Sequence, residues 1–275
     1  MHSIRQPAVA GTFYPAQPQK LRADVAALLD TAAPLAEVPK ALIVPHAGYI
    51  YSGHTAARAY ASLAAARATI RRVVLLGPVH RVPVRGLALP EADVFATPLG
   101  EIALDRAAMS ELAGMRQVVV SAAAHAWEHS LEVQLPFLQV ALDEFTLVPL
   151  AVGDASAAEV ADVLETLWGG PETLIVISSD LSHFHSYDEA RRIDGDTVRS
   201  ILDFDSALNH EQACGGTPIN GLLRAAKKRA LRMQLLQACN SGDTAGDKAR
   251  VVGYASFALF AAGASAEAEH EYVRH

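Results

Sequence analysis

Four short runs of almost unbroken apolar residues limit what this chain can fold into: 41–45 (ALIVP), 72–77 (RVVLLG), 145–152 (FTLVPLAV) and 173–179 (TLIVISS). A strand on a one-sided sheet alternates apolar and polar residues. A strand that is apolar throughout has to be covered on both faces. Ala-rich stretches with helical spacing separate these runs, at 21–30, 56–67, 105–112, 131–142, 156–167, 187–204 and 219–228. The pattern predicts an α/β fold with a central mixed, largely parallel sheet flanked by helices. Residues 232–238 and 251–257 read as further strands, and 86–89 and 118–120 as additional short ones. No Ser/Gly/Pro-rich linker and no internal repeat divides the chain. A single domain over 1–263 is expected, with 264–275 as a polar, flexible C-terminal tail.

Composition narrows the function classes. With 23 basic and 30 acidic residues the net charge is −7. A duplex nucleic-acid binder carries a basic field or run, so no nucleic-acid partner is expected. The two cysteines, Cys214 and Cys239, form no Cys-x-x-Cys pair, which excludes a disulfide framework and a zinc ribbon. The longest nearly apolar run, 251–264, has 14 residues and is interrupted by Gly253 and Gly263. A span needs about 20. The first residues lack a basic-then-apolar signal layout. These features predict a soluble cytoplasmic protein without a membrane partner.

The chemistry-bearing residues sit where apolar strands end. The first run leads into His46-Ala47-Gly48-Tyr49, the second into Gly77-Pro78-Val79-His80, and the fourth into Ser178-Ser179-Asp180-Leu181-Ser182-His183. The strand at 232–238 leads into Cys239-Asn240-Ser241-Gly242-Asp243. Open α/β sheets bind ligands beyond the carboxyl ends of their strands. His46, His80, His183 and Asp243 could therefore meet on one rim. Two imidazoles and a carboxylate make the ligand set of a non-haem Fe(II) site. Taken singly, a His after a strand is an ordinary turn residue and an Asp before a helix an ordinary cap. A second cluster, Glu128-His129-Ser130-Leu131-Glu132, follows His125 and Trp127. It reads either as a helix start with favourable acidic residues or as a proton-transfer site. Cys214 precedes Gly215-Gly216 and reads as a plain cap or as a thiol with a lowered pKa at a helix start. Glycine-rich nucleotide-binding motifs and a G-x-S-x-G elbow are absent from the sequence.

Seven ordered segments carry a family resemblance: RQPAVAGTFYP (5–15), PHAGYIYSG (45–53), LGPVH (76–80), EHSLEVQLPFL (128–138), SSDLSH (178–183), CGGTPI (214–219) and NSGDTAGD (240–247). The chain resembles the Memo family, including its bacterial and archaeal branch, the AmmeMemoRadiSam system protein B. The resemblance implies a fold like that of class III extradiol ring-cleaving dioxygenases. It also implies a metal pocket whose histidines fall on His46 and His80. The third ligand is expected at Asp243, with Thr244 or Cys239 as alternatives. His183, His129, Asp180 and Glu128 are the expected acid–base and orienting residues, and Tyr49 and Tyr51 the expected substrate-lining ones. The metal implied is Fe(II), with Cu, Zn or Mn in competition for the same donors.

Two functional expectations follow from the resemblance. One is a dioxygenase-like enzyme that oxygenates or cleaves a catechol-like small molecule. The other is a non-enzymatic metal-binding or peptide-binding adaptor, working beside a radical-SAM protein and an AMMECR-like protein. The phosphotyrosine-adaptor role described for animal members is not carried over to this chain. Fold resemblance does not decide between these functions.

Overall fold

The computed structural model describes residues 3–33 and 35–261. The tail expected at 264–275 lies outside the described residues. The strands are β1 (Ile4–Arg5), β2 (Ala41–Val44), β3 (Arg72–Pro78), β4 (Leu87–Leu89), β5 (Val94–Thr97), β6 (Gly100–Ala103), β7 (Val118–Val120), β8 (Thr146–Val152), β9 (Thr173–Ser178), β10 (His183–His185), β11 (Arg232–Asn240) and β12 (Val251–Phe260). The α-helices are α1 (Pro18–Asp30), α2 (Tyr49–Tyr60), α3 (Arg106–Glu111), α4 (Ala122–Ala126), α5 (Leu135–Ala141), α6 (Ala157–Thr166), α7 (Tyr187–Leu202) and α8 (Gly216–Lys228).

The four apolar runs form the centre of the main sheet, in the order β2-β9-β3-β8, all parallel. Antiparallel pairing extends it on both sides, through β12 next to β2 and β4 next to β8. β7 pairs with β4, while β10 and β11 both pair with β12. Every residue of β2 and β9 is buried, as continuous apolar character requires of a sheet covered on both faces. Leu42, Ile43, Leu75 and Leu76 are at most 1% exposed. Each such side chain contributes about 1.5–3 kcal/mol of burial. β1-β5-β6 form a separate, smaller sheet, and Leu104, just after β6, bridges to Leu147 of β8.

The helix expected at 56–67 instead starts at Tyr49 and gives way to a 3-10 turn over Ala61–Ala66. The β-prone segment Tyr49-Ile50-Tyr51 is helical because its buried face, Tyr49, Ser52, Gly53, Ala56 and Tyr60, packs inward. Tertiary burial here outweighs local propensity. The consequence reaches the site: α2 begins three residues after His46.

Candidate metal centre

Because β2, β9 and β3 are parallel neighbours, their carboxyl ends share one rim. His46 lies two residues beyond β2, Asp180 two beyond β9, and His80 two beyond β3. The 127–131 segment between α4 and the 3-10 turn Glu132–Gln134 brings His129 over the same rim. The ring centroids are 5.3 Å apart for His46–His80, 5.4 Å for His46–His129 and 4.6 Å for His80–His129. Each histidine offers one ligand nitrogen, and the three nitrogens lie within 4.8 Å of one another.

The surrounding hydrogen bonds decide which nitrogen each ring presents. Gln134 Oε1 accepts from Tyr60, so its Nε2 is the donor to Pro45 O and to Ser178 Oγ. The Ser178 hydroxyl donates its proton to Ser130 O at 2.6 Å. Ser178 Oγ can therefore only accept from His46 Nδ1, 2.9 Å away, which leaves the lone pair on His46 Nε2, where the Cys214 thiol lies 3.3 Å away. Glu128 does the same for His80 and also faces the His129 ring. Its Oε1 is 2.8 Å from His80 Nδ1 and 3.3 Å from His129 Nδ1. A carboxylate can only accept, so His80 Nδ1 carries the proton and its Nε2 is free. Such outer partners fix the tautomer and orientation of metal-binding histidines.

Glu128 is itself held in place. It accepts from the backbone amides of His80, His129 and Ser130. Although burial raises its pKa, the His80 side chain and these amides outweigh that and hold it down to about 2. Burial lowers His46 far below the usual imidazole value, and takes His129 down to about 4. His46 and His129 are thus neutral, the form that coordinates a metal. Three converging imidazoles, two of them with the outer nitrogen hydrogen-bonded, fit a first-row divalent metal such as zinc, copper or iron.

The site lies at the end of a cleft of about 440 Å³. Phe13, Tyr51, His129, Asp180, His183 and Tyr254 are among the residues that line it. Asp180 is buried. Its Oδ1 accepts from His46 N, and its Oδ2 stands 4.0 Å from His46 Nε2. Burial pushes its carboxyl up to about 7. Burial also lowers the pKa of His183.

Several expectations need correction. Asp243 does not reach the histidines. It closes the 3-10 turn Ser241–Asp243, accepting from Asn240 N at 3.0 Å and from the Tyr187 hydroxyl at 2.5 Å, in a separate cleft. β12 stands between β11 and β2, so the end of β11 is displaced from the histidine-bearing strands. The alternatives are engaged elsewhere: Thr244 bonds Ser241 O, and Cys239 meets Thr55. His129, expected as an acid–base residue, stands in the ligand group. Tyr49 is a core residue, packed on Tyr14 and Phe137 and donating to Val133 O. Tyr51 does line the cleft. Cys214 lies 3.3 Å from His46 Nε2, and burial pushes its thiol up to about 12, so no lowered thiol pKa results.

Sequence reasoning missed Ser178 and Gln134 as positioning residues, and gave Glu132 the wrong task. Glu132 is fully buried. It pairs with Arg5 and accepts from Ala8 N, Val9 N and the Tyr14 hydroxyl. Arg5 also donates to His125 O and Glu128 O, which staples the N-terminal segment to the loop that carries His129. The signal was in the sequence as an Arg in the first motif and a second Glu in the fourth.

The family described as Memo-like protein matches residues 5–258. The chain belongs to the Memo family. Relatives named as MEMO1 family proteins include one from Methanosarcina mazei, 37% identical over 273 residues, covering 92% of this chain and 98% of its own. One from Thermoplasma volcanium is 35% identical, with 92% of this chain and 97% of its own covered. One from Aquifex aeolicus is 36% identical, covering 91% and 97%. A solved structure of an uncharacterised Escherichia coli K12 protein aligns with this Memo-family chain at a TM-score of 0.48 and 15% identity, over 80% of this chain and 99% of that one. Among the described residues no helix is long and apolar enough to cross a membrane.

Proposed function

We propose that this Memo-family chain is a metal-dependent enzyme, with iron(II) on His46, His80 and His129, that oxygenates a chelating, catechol-like small molecule. One observation carries the reading. Three imidazoles converge at the end of a cleft with one nitrogen of each within 4.8 Å of the others, and the outer nitrogens of His46 and His80 are hydrogen-bonded to Ser178 and Glu128. Three protein ligands suit a catalytic metal because they leave positions for substrate. When bound, the metal supplies Lewis acidity toward a substrate hydroxyl and, as iron, redox capacity.

The chain supplies the remainder. Asp180, beside His46 and with its carboxyl raised to about 7, holds and returns a substrate proton at Oδ2 near neutrality. His183 lines the cleft as a neutral base. Phe13 and Tyr51 present aromatic walls to a flat substrate.

The test is anaerobic metal analysis of the chain and of its His46→Ala/His80→Ala double variant, followed by O₂ uptake with a panel of catechols. About one equivalent of iron, lost in the variant, with catechol-dependent O₂ uptake, supports the proposal. No metal after Fe(II) loading overturns it. Metal without O₂ uptake shows a binding protein rather than an oxygenase.

A further inference from the structure

The cleft contains one group that neither metal binding nor proton transfer uses. Arg250 lines it together with His129, Asp180, His183 and Tyr51. Among the described residues its guanidinium has no carboxylate partner. The polar contact of this residue is its backbone N–H, which donates to Asp247 Oδ1 at 3.4 Å. Asp247, the other charged residue in that loop facing the cleft, accepts instead from Ala249 N at 2.8 Å.

The guanidinium is nonetheless placed. Its Cζ lies 5.0 Å from the centre of the Phe184 ring. Phe184 is 61% exposed, and its backbone φ is +64°, a left-handed conformation rare for an aromatic residue. It sits between His183, paired with Val252, and His185, paired with Val251, where the register of β10 on β12 shifts. A bulge of this kind re-aims side chains beside a site. Strained backbone at such a position points to function. Stacking on an aromatic face leaves the edge of a guanidinium free to grip a carboxylate with two N–H groups.

We propose that the cleft selects an anionic chelating acid, whose carboxylate is held by Arg250 laid against Phe184. The inference rests on the chelating-substrate reading above and names the class of that substrate.

The experiment is anaerobic calorimetric titration of the Fe(II)-loaded protein with 3,4-dihydroxybenzoate and with the neutral 4-methylcatechol. The wild type is expected to bind the acid at least tenfold more tightly. Arg250→Gln, at equal metal content, is expected to lose most of that preference and to bind 4-methylcatechol within about twofold of wild type. Phe184→Gly, which removes the stacking face and relieves the backbone, is expected to weaken the acid several-fold and spare the neutral ligand. It carries the test alone if Arg250→Gln fails to load. Equal binding of both ligands by the wild type, or equal weakening of both in the variants, overturns the anion subsite and leaves the chelating-substrate reading standing. Failure of metal-loaded wild type to bind either ligand overturns that reading, and the subsite with it.

Discussion

The Ser178 hydroxyl lies 2.9 Å from His46 Nδ1 and determines which nitrogen of that ring faces the cleft. Its own proton goes to Ser130 O, so it can only accept from the imidazole. Ser178→Ala is expected to lower metal affinity about 10–100-fold, the usual effect of removing an outer partner. It also strips a partner from buried groups of Gln134 and Ser130, at about 1–3 kcal/mol of stability. Chelator competition and denaturant unfolding measure the two effects separately. Unchanged metal affinity would show that the tautomer is set elsewhere.

Glu128 serves two rings with one oxygen, at 2.8 Å from His80 and 3.3 Å from His129. Glu128→Gln keeps the shape and removes the charge that makes His80 Nδ1 a donor and faces the His129 ring. Metal affinity is expected to fall at least as far as in Ser178→Ala, because His80 loses a charged anchor and the carboxylate beside His129 is neutralised. Competition titration against the same chelator checks the order of the two variants. A weaker effect than Ser178→Ala contradicts it.

Gly77 lets the His129 loop approach β3. A Cβ there would lie 2.8 Å from Ser130 Oγ and 3.1 Å from Leu131 Cδ2. Gly77→Ala is expected to cost about 1–3 kcal/mol through overpacking. The displacement pushes His129 away from His80, so metal loading should fall in a protein that still folds. Circular dichroism with metal analysis of the refolded variant distinguishes this from plain unfolding.

His125 is buried outside the ligand group, and burial lowers its pKa from 6.5 to about 4. The unfolded chain takes up this proton first, so between pH 6.5 and 4 the unfolded state holds more protons. Stability therefore falls as pH falls through that window, by about 3 kcal/mol for this group. His125→Gln should flatten the pH dependence of unfolding between those limits. An unchanged slope, measured by denaturant titration at several pH values, would rule His125 out as the cause.

Glu132 is the buried partner of Arg5. Glu132→Ala leaves that guanidinium without its carboxylate in a dry environment. The expected loss is about 3–5 kcal/mol. Because Arg5 also grips His125 O and Glu128 O, limited proteolysis near residues 5–15 should accelerate with it. Resistance equal to the wild type would show that the N-terminal segment is held by apolar contacts alone.

The amino-acid sequence by itself determined the parallel core and two of the metal-ligand candidates. The apolar runs at β2, β3, β8 and β9 allow no exposed face, and a parallel sheet forces the residues after its strands onto one rim. That rim reading offered His46, His80, His183 and Asp243 together, and the family resemblance singled out His46 and His80. Asp243 was not placed correctly, because its strand end has the same local character as the others and only pairing shows that β12 separates it from β2. Tyr49 looked like a pocket residue next to His46 until α2 turned it into the core. His129 entered the ligand group only through tertiary contacts. Arg5, Glu132 and Glu128 fold a loop over the rim, and such long-range hydrogen bonds leave no periodic trace in a sequence. The protonated nitrogen of each ring was likewise decided by partners remote in sequence, Ser178 for His46 and Glu128 for His80. Hydrophobic burial is a sum over local pattern and can be read from the chain, whereas the donors and acceptors around a metal meet only once the chain has closed on itself.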